Sequence, residues 1–319
     1  MRHYSITLRS IIGAALATTL AFSSTLYAQE PVAKVIYKAP YTQYAQHVQA
    51  VRSPQPDPTL DTIIQKVPEP LRSEVAYMHD IQSGKSLYQK NSQQARPIAS
   101  ITKLMTALLV LEAKQPLDEV LEISDEDIDT LKGTRSRLHV GSRLTRAQML
   151  HLALMSSENR AANALGRHYP GGLPAFVRAM NDKARTLGMR HTHFVEPTGL
   201  SSENVATPQD LVRLLQAAAT QPLIHQYSTS DQLTVSPRAG RQLVFANTNR
   251  LVLNDQWDIQ VSKTGFINEA GQCLVLLATL EGRQVAMVLM NSQGSYSRIA
   301  DAVRLRRLIE GSTQQLALL

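Results

Sequence analysis

The chain of 319 residues is long enough for one large domain or two ordinary ones, and 43% hydrophobic residues supply a sizeable core. Charged residues make up only 18%, which excludes a mainly disordered chain and a coiled coil. The single cysteine, Cys273, excludes an intramolecular disulfide and a cysteine-rich metal cluster. The net charge of +7 suits an anionic partner without naming one, and no nucleic-acid motif accompanies it.

In chain order, Arg2 and Arg9 precede an apolar run over 11–22, and small residues lead to Ala28. This is the layout of a secretory signal peptide, residues 1–28, and the run is short for a membrane span. Its removal leaves 291 residues at net charge +5. An uncleaved N-terminal anchor is the alternative, and both place the folded part outside the cytoplasm. Residues 29–72 hold seven of the fifteen prolines, a density that favours extended, solvated chain; this stretch reads as a linker. The folded domain is expected over 73–310 and a short uncharged tail over 311–319.

Within that domain, 74–79 and 86–90 read as paired strands joined by a turn containing Gly84. Residues 100–113 are apolar almost all round, the mark of a buried helix. Further helices are expected over 145–155, 160–168, 173–187 and 207–220. Thr145 and Thr207 stand at capping positions, Pro208 at a first helical position, and Gly188 closes a helix. Strands follow over 258–264, 273–280 and 283–291, the last two joined by a tight turn at Glu281-Gly282, and an amphipathic helix covers 297–309. Strands at both ends around a helical middle predict an α/β sandwich: an antiparallel sheet flanked by helices, with an all-helical lobe inserted.

Three short strings carry the chemistry. Ser100-Ile-Thr-Lys103 opens the buried helix, Ser157-Glu-Asn159 lies between two helices, and Lys263-Thr-Gly265 lies on a strand. Each alone is weak. Ser100 could be only a helix cap with Lys103 reaching out to water. A second Ser-x-Asn, Ser202-Glu-Asn204, occurs in an apparent loop. Together, in this order, the strings resemble those of penicillin-binding proteins and serine β-lactamases. Residues three apart on a helix share a face, so Lys103 can sit beside Ser100. A helix N-terminus favours an anion developing on the serine oxygen. A serine hydroxyl needs a base, and an ammonium buried in apolar surroundings, near a second cation at Lys263, loses its proton more readily.

The resemblance extends through Arg96-Pro-Ile-Ala-Ser-Ile-Thr-Lys-Leu-Met-Thr106, Leu152-Ala-Leu-Met-Ser-Ser-Glu-Asn-Arg-Ala-Ala162, Phe194-Val-Glu-Pro-Thr-Gly-Leu200 and Gln260-Val-Ser-Lys-Thr-Gly-Phe266. Over about 73–310 the chain is similar to the low-molecular-weight penicillin-binding proteins of the D-alanyl-D-alanine endopeptidase type. That resemblance implies a β-lactamase/transpeptidase-like fold and a periplasmic serine peptidase without cofactor or metal. Ser100 would be the acylated nucleophile, Lys103 its base, and Ser157 the relay to the leaving amine. Asn159 would bind a substrate carbonyl, and Lys263 and Thr264 the carboxylate beside the scissile bond. Gly265 would allow close approach, and the backbone N–H groups of Ser100 and Phe266 would form the oxyanion hole. The implied substrate is the D-alanyl–meso-diaminopimelate cross-link of peptidoglycan stem peptides, and β-lactams would trap Ser100 as an ester.

Only 54 residues follow Gly265, so at most loose membrane association is expected. Glu196 precedes a proline and reads as a turn residue, not as a deacylating carboxylate, so slow release of penicillin is expected. Rival readings are a D,D-carboxypeptidase with the same machinery and a non-catalytic peptidoglycan-binding protein of the same fold. A zinc hydrolase using His191 and His193 is a third, though no His-Glu-x-x-His string is present. Cys273 reads as a buried small hydrophobe, and Arg304, Arg306 and Arg307 as a solvated helix face.

Overall fold

A computed structural model describes residues 70–316, with side chains through residue 310. The expected signal segment and residues 29–69 of the expected linker lie outside the described residues. Five strands form one antiparallel sheet: β1 (Ser73–Asp80), β2 (Ser86–Lys90), β9 (Asp258–Ile267), β10 (Gly271–Leu280) and β11 (Arg283–Ser292), in the order β2-β1-β11-β10-β9. Three two-stranded ladders complete the strands. They are β3 (Arg96–Pro97) with β6 (Val205–Ala206), β4 (Val120–Glu122) with β5 (Arg143–Thr145), and β7 (Gln232–Arg238) with β8 (Arg241–Ala246).

The sheet is buried on both faces because its central strands carry unbroken apolar runs, 273–278 in β10 and 285–290 in β11, and the strand period of two sorts the side chains. Cys273, Val275 and Leu277 enter the larger core with Val288 and Met290. Leu274, Leu276 and Ala278 enter a second core with Met287 and Leu289. The second core is closed by α7 (Ser297–Leu316) through Ala302, Leu305 and Ile309. Buried Asp301 docks this helix on β1, accepting from the Ser73 N–H at 2.7 Å and the Ser73 Oγ at 2.6 Å. The helix runs on to Leu316, into the stretch read from sequence as a tail. Glu281 (φ 48°) and Gly282 (φ 75°) both take positive φ, as the two-residue hairpin turn requires. Leu276→Ala removes a fully buried side chain from the middle of β10. It is expected to destabilise the fold by about 3 kcal/mol, read as a lower urea midpoint at unchanged slope.

The larger core surrounds α1 (Lys103–Glu112). It packs against α2 (Arg146–Met155), α3 (Asn159–Arg167), α4 (Gly172–Thr186), α5 (Pro208–Ala219) and α6 (Pro222–Thr229). A helix with neighbours on every side has no solvated face, which accounts for its all-round apolar sequence. Thr145 starts α2 with a reciprocal capping box: its Oγ1 accepts from the Gln148 N–H at 3.1 Å, and Gln148 Oε1 accepts from the Thr145 N–H at 2.9 Å. The segment 222–246, which periodicity left unassigned, forms α6 and the β7–β8 hairpin. Among the described residues no helix is long and apolar enough to cross a membrane.

Candidate active site

Ser100 lies on a 3-10 turn, Ala99–Thr102, that runs into α1, so Lys103 is the helix's first residue and Ser100 precedes it. The sequence reading placed both on one α-helix; the tighter turn keeps them adjacent. Ala99 holds φ at 48°, a conformation that costs a residue with a Cβ about 1–2 kcal/mol. Two glycines hold the turn from outside. A Cβ on Gly199 would lie 1.8 Å from the Ala99 carbonyl oxygen, and one on Gly265 would lie 3.1 Å from the Ser100 nitrogen. The close approach at Gly265 is therefore to the turn that carries Ser100.

Lys103 is fully buried, and its Nζ has three partners: Ser100 Oγ at 2.8 Å, Asn159 Oδ1 at 2.8 Å and the Thr198 carbonyl at 2.6 Å. Two of these are acceptors only; Ser100 alone can also donate. A neutral amine thus gives its two hydrogens to Asn159 and Thr198 and turns its lone pair to the Ser100 hydroxyl. Burial lowers the Lys103 pKa to about 8, against the opposing pull of the Glu196 and Glu158 carboxylates.

Across the cleft, Ser157 sits just before α3 at φ 61°, in the left-handed region like Ala99. Lys263 Nζ donates to Ser157 Oγ at 2.9 Å and to the Thr264 carbonyl at 3.0 Å. Burial first, then the Lys103 and Arg298 cations, hold Lys263 well below the ordinary lysine range. Thr264 Oγ1 donates to Thr248 Oγ1 at 2.6 Å, and Asn159 Nδ2 donates to Thr134 Oγ1 at 3.1 Å. β9 is an edge strand. The Ser262 N–H points off the open edge to Ser228 Oγ at 3.2 Å, and the Thr264 carbonyl points the same way to Lys263. The strand period of two places the Phe266 N–H on that edge as well. Beside Asn159 and Thr198 a cleft of about 130 Å³ extends the site, with Ile128, Leu131 and Asn163 in its wall.

All three strings therefore meet. The second Ser-x-Asn does not join them: buried Asn204 is structural, its Nδ2 bonded to Thr102 Oγ1 at 3.1 Å and the Glu196 carbonyl at 2.8 Å. Glu196 ties its own turn, accepting from the Thr198 and Gly199 N–H groups at 2.6 Å each. His191 and His193 are exposed, and among the described residues no group of three His, Cys, Asp or Glu could hold a metal ion. Burial pushes the Cys273 thiol up to about 11, so it stays protonated at neutral pH. Arg306 pairs with Glu310 at 2.6 Å and stacks on Trp257, so it is tied into the helix face. Sequence reading passed over the Thr198 carbonyl, which no side-chain motif reveals. It also passed over Arg298, whose Nη1 donates to the Gly265 carbonyl at 3.1 Å and to Gln272 Oε1. Arg298 reaches the site from α7, 33 positions beyond Gly265.

A serine in contact with a buried lysine, facing a second serine–lysine couple across an open β edge, defines the class of penicillin-interacting serine peptidases. The chain belongs to the D-alanyl-D-alanine carboxypeptidase family, whose sequence profile matches residues 62–294. It is 52% identical over 241 residues to a D-alanyl-D-alanine endopeptidase of Pseudomonas aeruginosa, covering 75% of this chain and 78% of that one. It is 49% identical over 236 residues to a D-alanyl-D-alanine endopeptidase of Escherichia coli, covering 74% and 76%. The crystal structure of the Streptomyces K15 DD-transpeptidase superposes with TM-score 0.69 at 27% identity, covering 75% of this chain and 97% of that one. The ampicillin-bound form of penicillin-binding protein D2 from Listeria monocytogenes gives 0.64 at 29% identity, covering 75% and 98%.

Proposed function

We propose that the chain is a D,D-endopeptidase that hydrolyses D-alanyl–meso-diaminopimelate cross-links of peptidoglycan through an ester on Ser100, and that it works in the periplasm. The contact of Lys103 Nζ with Ser100 Oγ at 2.8 Å carries the reading. The neutral amine takes the hydroxyl proton as Oγ attacks the D-alanyl carbonyl. The N–H groups of Ser100 and Phe266 receive the oxyanion. The C–N bond breaks as Ser157 passes its proton to the departing amine and is reprotonated from the Lys103 ammonium, which returns Lys103 to the neutral amine. Water then attacks the ester, again with Lys103 as base, and Ser100 regains its proton. Lys263 and Thr264 hold the carboxylate beside the scissile amide. A carboxylate arriving there supplies the counter-charge that Lys263 lacks beside Lys103 and Arg298, and so favours its ammonium form. Asn159 holds a substrate carbonyl. The periplasmic assignment rests on the arginine-led apolar segment at the N-terminus.

The test pairs two measurements. Fluorescent penicillin is expected to label the wild type and not Ser100→Ala. Digestion of purified muropeptides is expected to convert cross-linked dimers to monomers, with metal chelators having no effect. Equal labelling of both proteins would remove the nucleophile. Loss of terminal D-alanine from monomers, with dimers left whole, would make the chain a carboxypeptidase.

A further inference from the structure

Two surface segments start at opposite walls of the cleft and meet beyond it. One is 134–143, anchored where Thr134 Oγ1 accepts from Asn159 at 3.1 Å and Ser136 Oγ donates to Glu158 at 2.7 Å. The other is the β7–β8 hairpin, whose continuation returns to the site at Thr248, against Thr264. The segments join where Arg238 donates to the Val140 carbonyl and where the Arg137 guanidinium lies 3.8 Å from the Phe245 ring centroid. Arg238 and Arg241 are register partners across the hairpin.

Between them, 134–143 and 232–246 contain five arginines, Arg135, Arg137, Arg143, Arg238 and Arg241, and no acidic residue. All five are exposed. Arg143 approaches Glu122 at 3.9 Å. Among the described residues no carboxylate lies within 4.0 Å of the nitrogens of Arg137, Arg238 or Arg241. Arg137 is held by ring stacking and Arg238 by a backbone carbonyl, while Arg241 stands opposite Arg238 through the backbone pairing of the hairpin. None is neutralised.

The position of the patch selects its ligand. In the reaction proposed above, the leaving amine and its carboxylate lie at Lys263 and Thr264, and Phe266 lies further along β9 toward the acyl side. Thr248 touches Thr264, so the hairpin rises from the leaving-group end, with Phe245 and the Arg137 stacked on it nearer the base and Arg238 and Arg241 at the tip, about 20 Å along the strand from Thr248. A carboxypeptidase releases a single D-alanine there, which ends at the carboxylate already held. A cross-link releases a whole stem peptide, which bears further free carboxylates. Guanidinium groups match carboxylates with paired N–H donors.

We propose that Arg137, Arg238 and Arg241 form a carboxylate-binding subsite for the departing stem peptide. The subsite rests on the endopeptidase reading and explains how one catalytic centre favours cross-links over terminal D-alanine.

The test replaces all three arginines by glutamine in the mature enzyme and measures hydrolysis of a purified cross-linked muropeptide dimer. Exposed charge pairs are individually weak but sum, so KM for the dimer is expected to rise about tenfold with kcat within about twofold. Arg241→Gln alone, which breaks no contact described here, is expected to raise KM about threefold. The triple lysine variant keeps most of the affinity. About 0.5 M salt brings the wild-type KM up to that of the glutamine variant. Acylation by penicillin, which has no stem peptide, stays at the wild-type rate.

An unchanged KM overturns the subsite. So does a loss of penicillin acylation parallel to the loss on the dimer, since the patch would then act by holding the lobe. So does an unchanged KM accompanied by weaker binding to phosphatidylglycerol vesicles, which assigns the charge to a lipid surface. Wild-type enzyme that is acylated yet leaves the dimer whole overturns the endopeptidase reading itself, and the subsite with it.

Discussion

Lys103→Met is expected to slow acylation of Ser100 by penicillin about a thousandfold, the scale on which a general base contributes. The methionine side chain fills similar space and cannot accept a proton. The fold should survive the change. Holding Lys103 down at about 8 costs the folded protein about 3 kcal/mol at neutral pH, and methionine removes that cost. Against this, Asn159 Oδ1 and the Thr198 carbonyl lose their donor, at about 1–3 kcal/mol each. The opposing contributions are similar, so the melting temperature should move by only a few degrees while activity collapses. A variant that melts normally and still labels at the wild-type rate would show that Lys103 is not the base.

The pH profile of the wild type gives the same assignment a sign. In the proposed mechanism the base is the neutral amine, whose fraction grows as pH rises, so the acylation rate should climb through about pH 8 and level off above it. Stability should follow the same direction. The folded Lys103 binds less proton than the unfolded one between about 8 and the ordinary lysine value, so this group adds stability as pH rises through that window. Glu158 pulls the Lys103 pKa upward, and its Oε1 accepts from Ser136 Oγ and the Arg160 N–H. Glu158→Gln keeps an acceptor for both and removes the charge. The rising limb of the rate should then move to lower pH.

What the sequence disclosed followed from periodicity and from side chains acting as themselves. Cys273 to Leu280 reads as a strand because every residue from 273 to 278 is buried. α1 reads as central because nothing polar interrupts it between Thr106 and Glu112. Ser100, Lys103, Ser157, Asn159 and Lys263 were legible because their chemistry lies in side chains at fixed spacing. Hidden were the features held in the backbone or assembled from distant segments. The positive φ of Ala99 and Ser157 is stabilised by neighbours, not by the residues themselves, so no local preference signals it. The Thr198 carbonyl serves Lys103 only because Glu196 folds the turn around it. β7 alternates from Gln232 to Arg238 with Leu233, Val235 and Pro237 inward, but its partner β8 carries an unbroken apolar run, Leu243 to Ala246, that hides the alternation of its burial. α6 spans eight residues, too few for a convincing helical repeat.

Gly199→Ala is expected to be the most damaging single methyl group that can be added near the site. The added Cβ would lie 1.8 Å from the Ala99 carbonyl oxygen, 2.2 Å from its carbon and 2.8 Å from the Ser100 nitrogen. All three are backbone atoms, so no rotamer change relieves the overlap, and φ at 82° adds strain of its own. The loop cannot simply retreat. Thr106 Oγ1 holds the Pro197 carbonyl at 2.7 Å, and Lys103 holds that of Thr198 at 2.6 Å. The turn bearing Ser100 must therefore shift, taking with it both the proposed nucleophile and the backbone N–H proposed as one oxyanion donor. A displacement of about 1 Å in such a constellation costs about a hundredfold in rate, so penicillin acylation should fall at least that far. Gly282→Ala provides the contrast. Its φ of 75° is similar, but nothing lies within 4 Å of the added methyl, in a hairpin turn remote from the three strings. It should lose about 1 kcal/mol of stability and acylate normally. Equal acylation rates for the two variants would mean that the 196–200 loop does not hold the Ser100 turn in register.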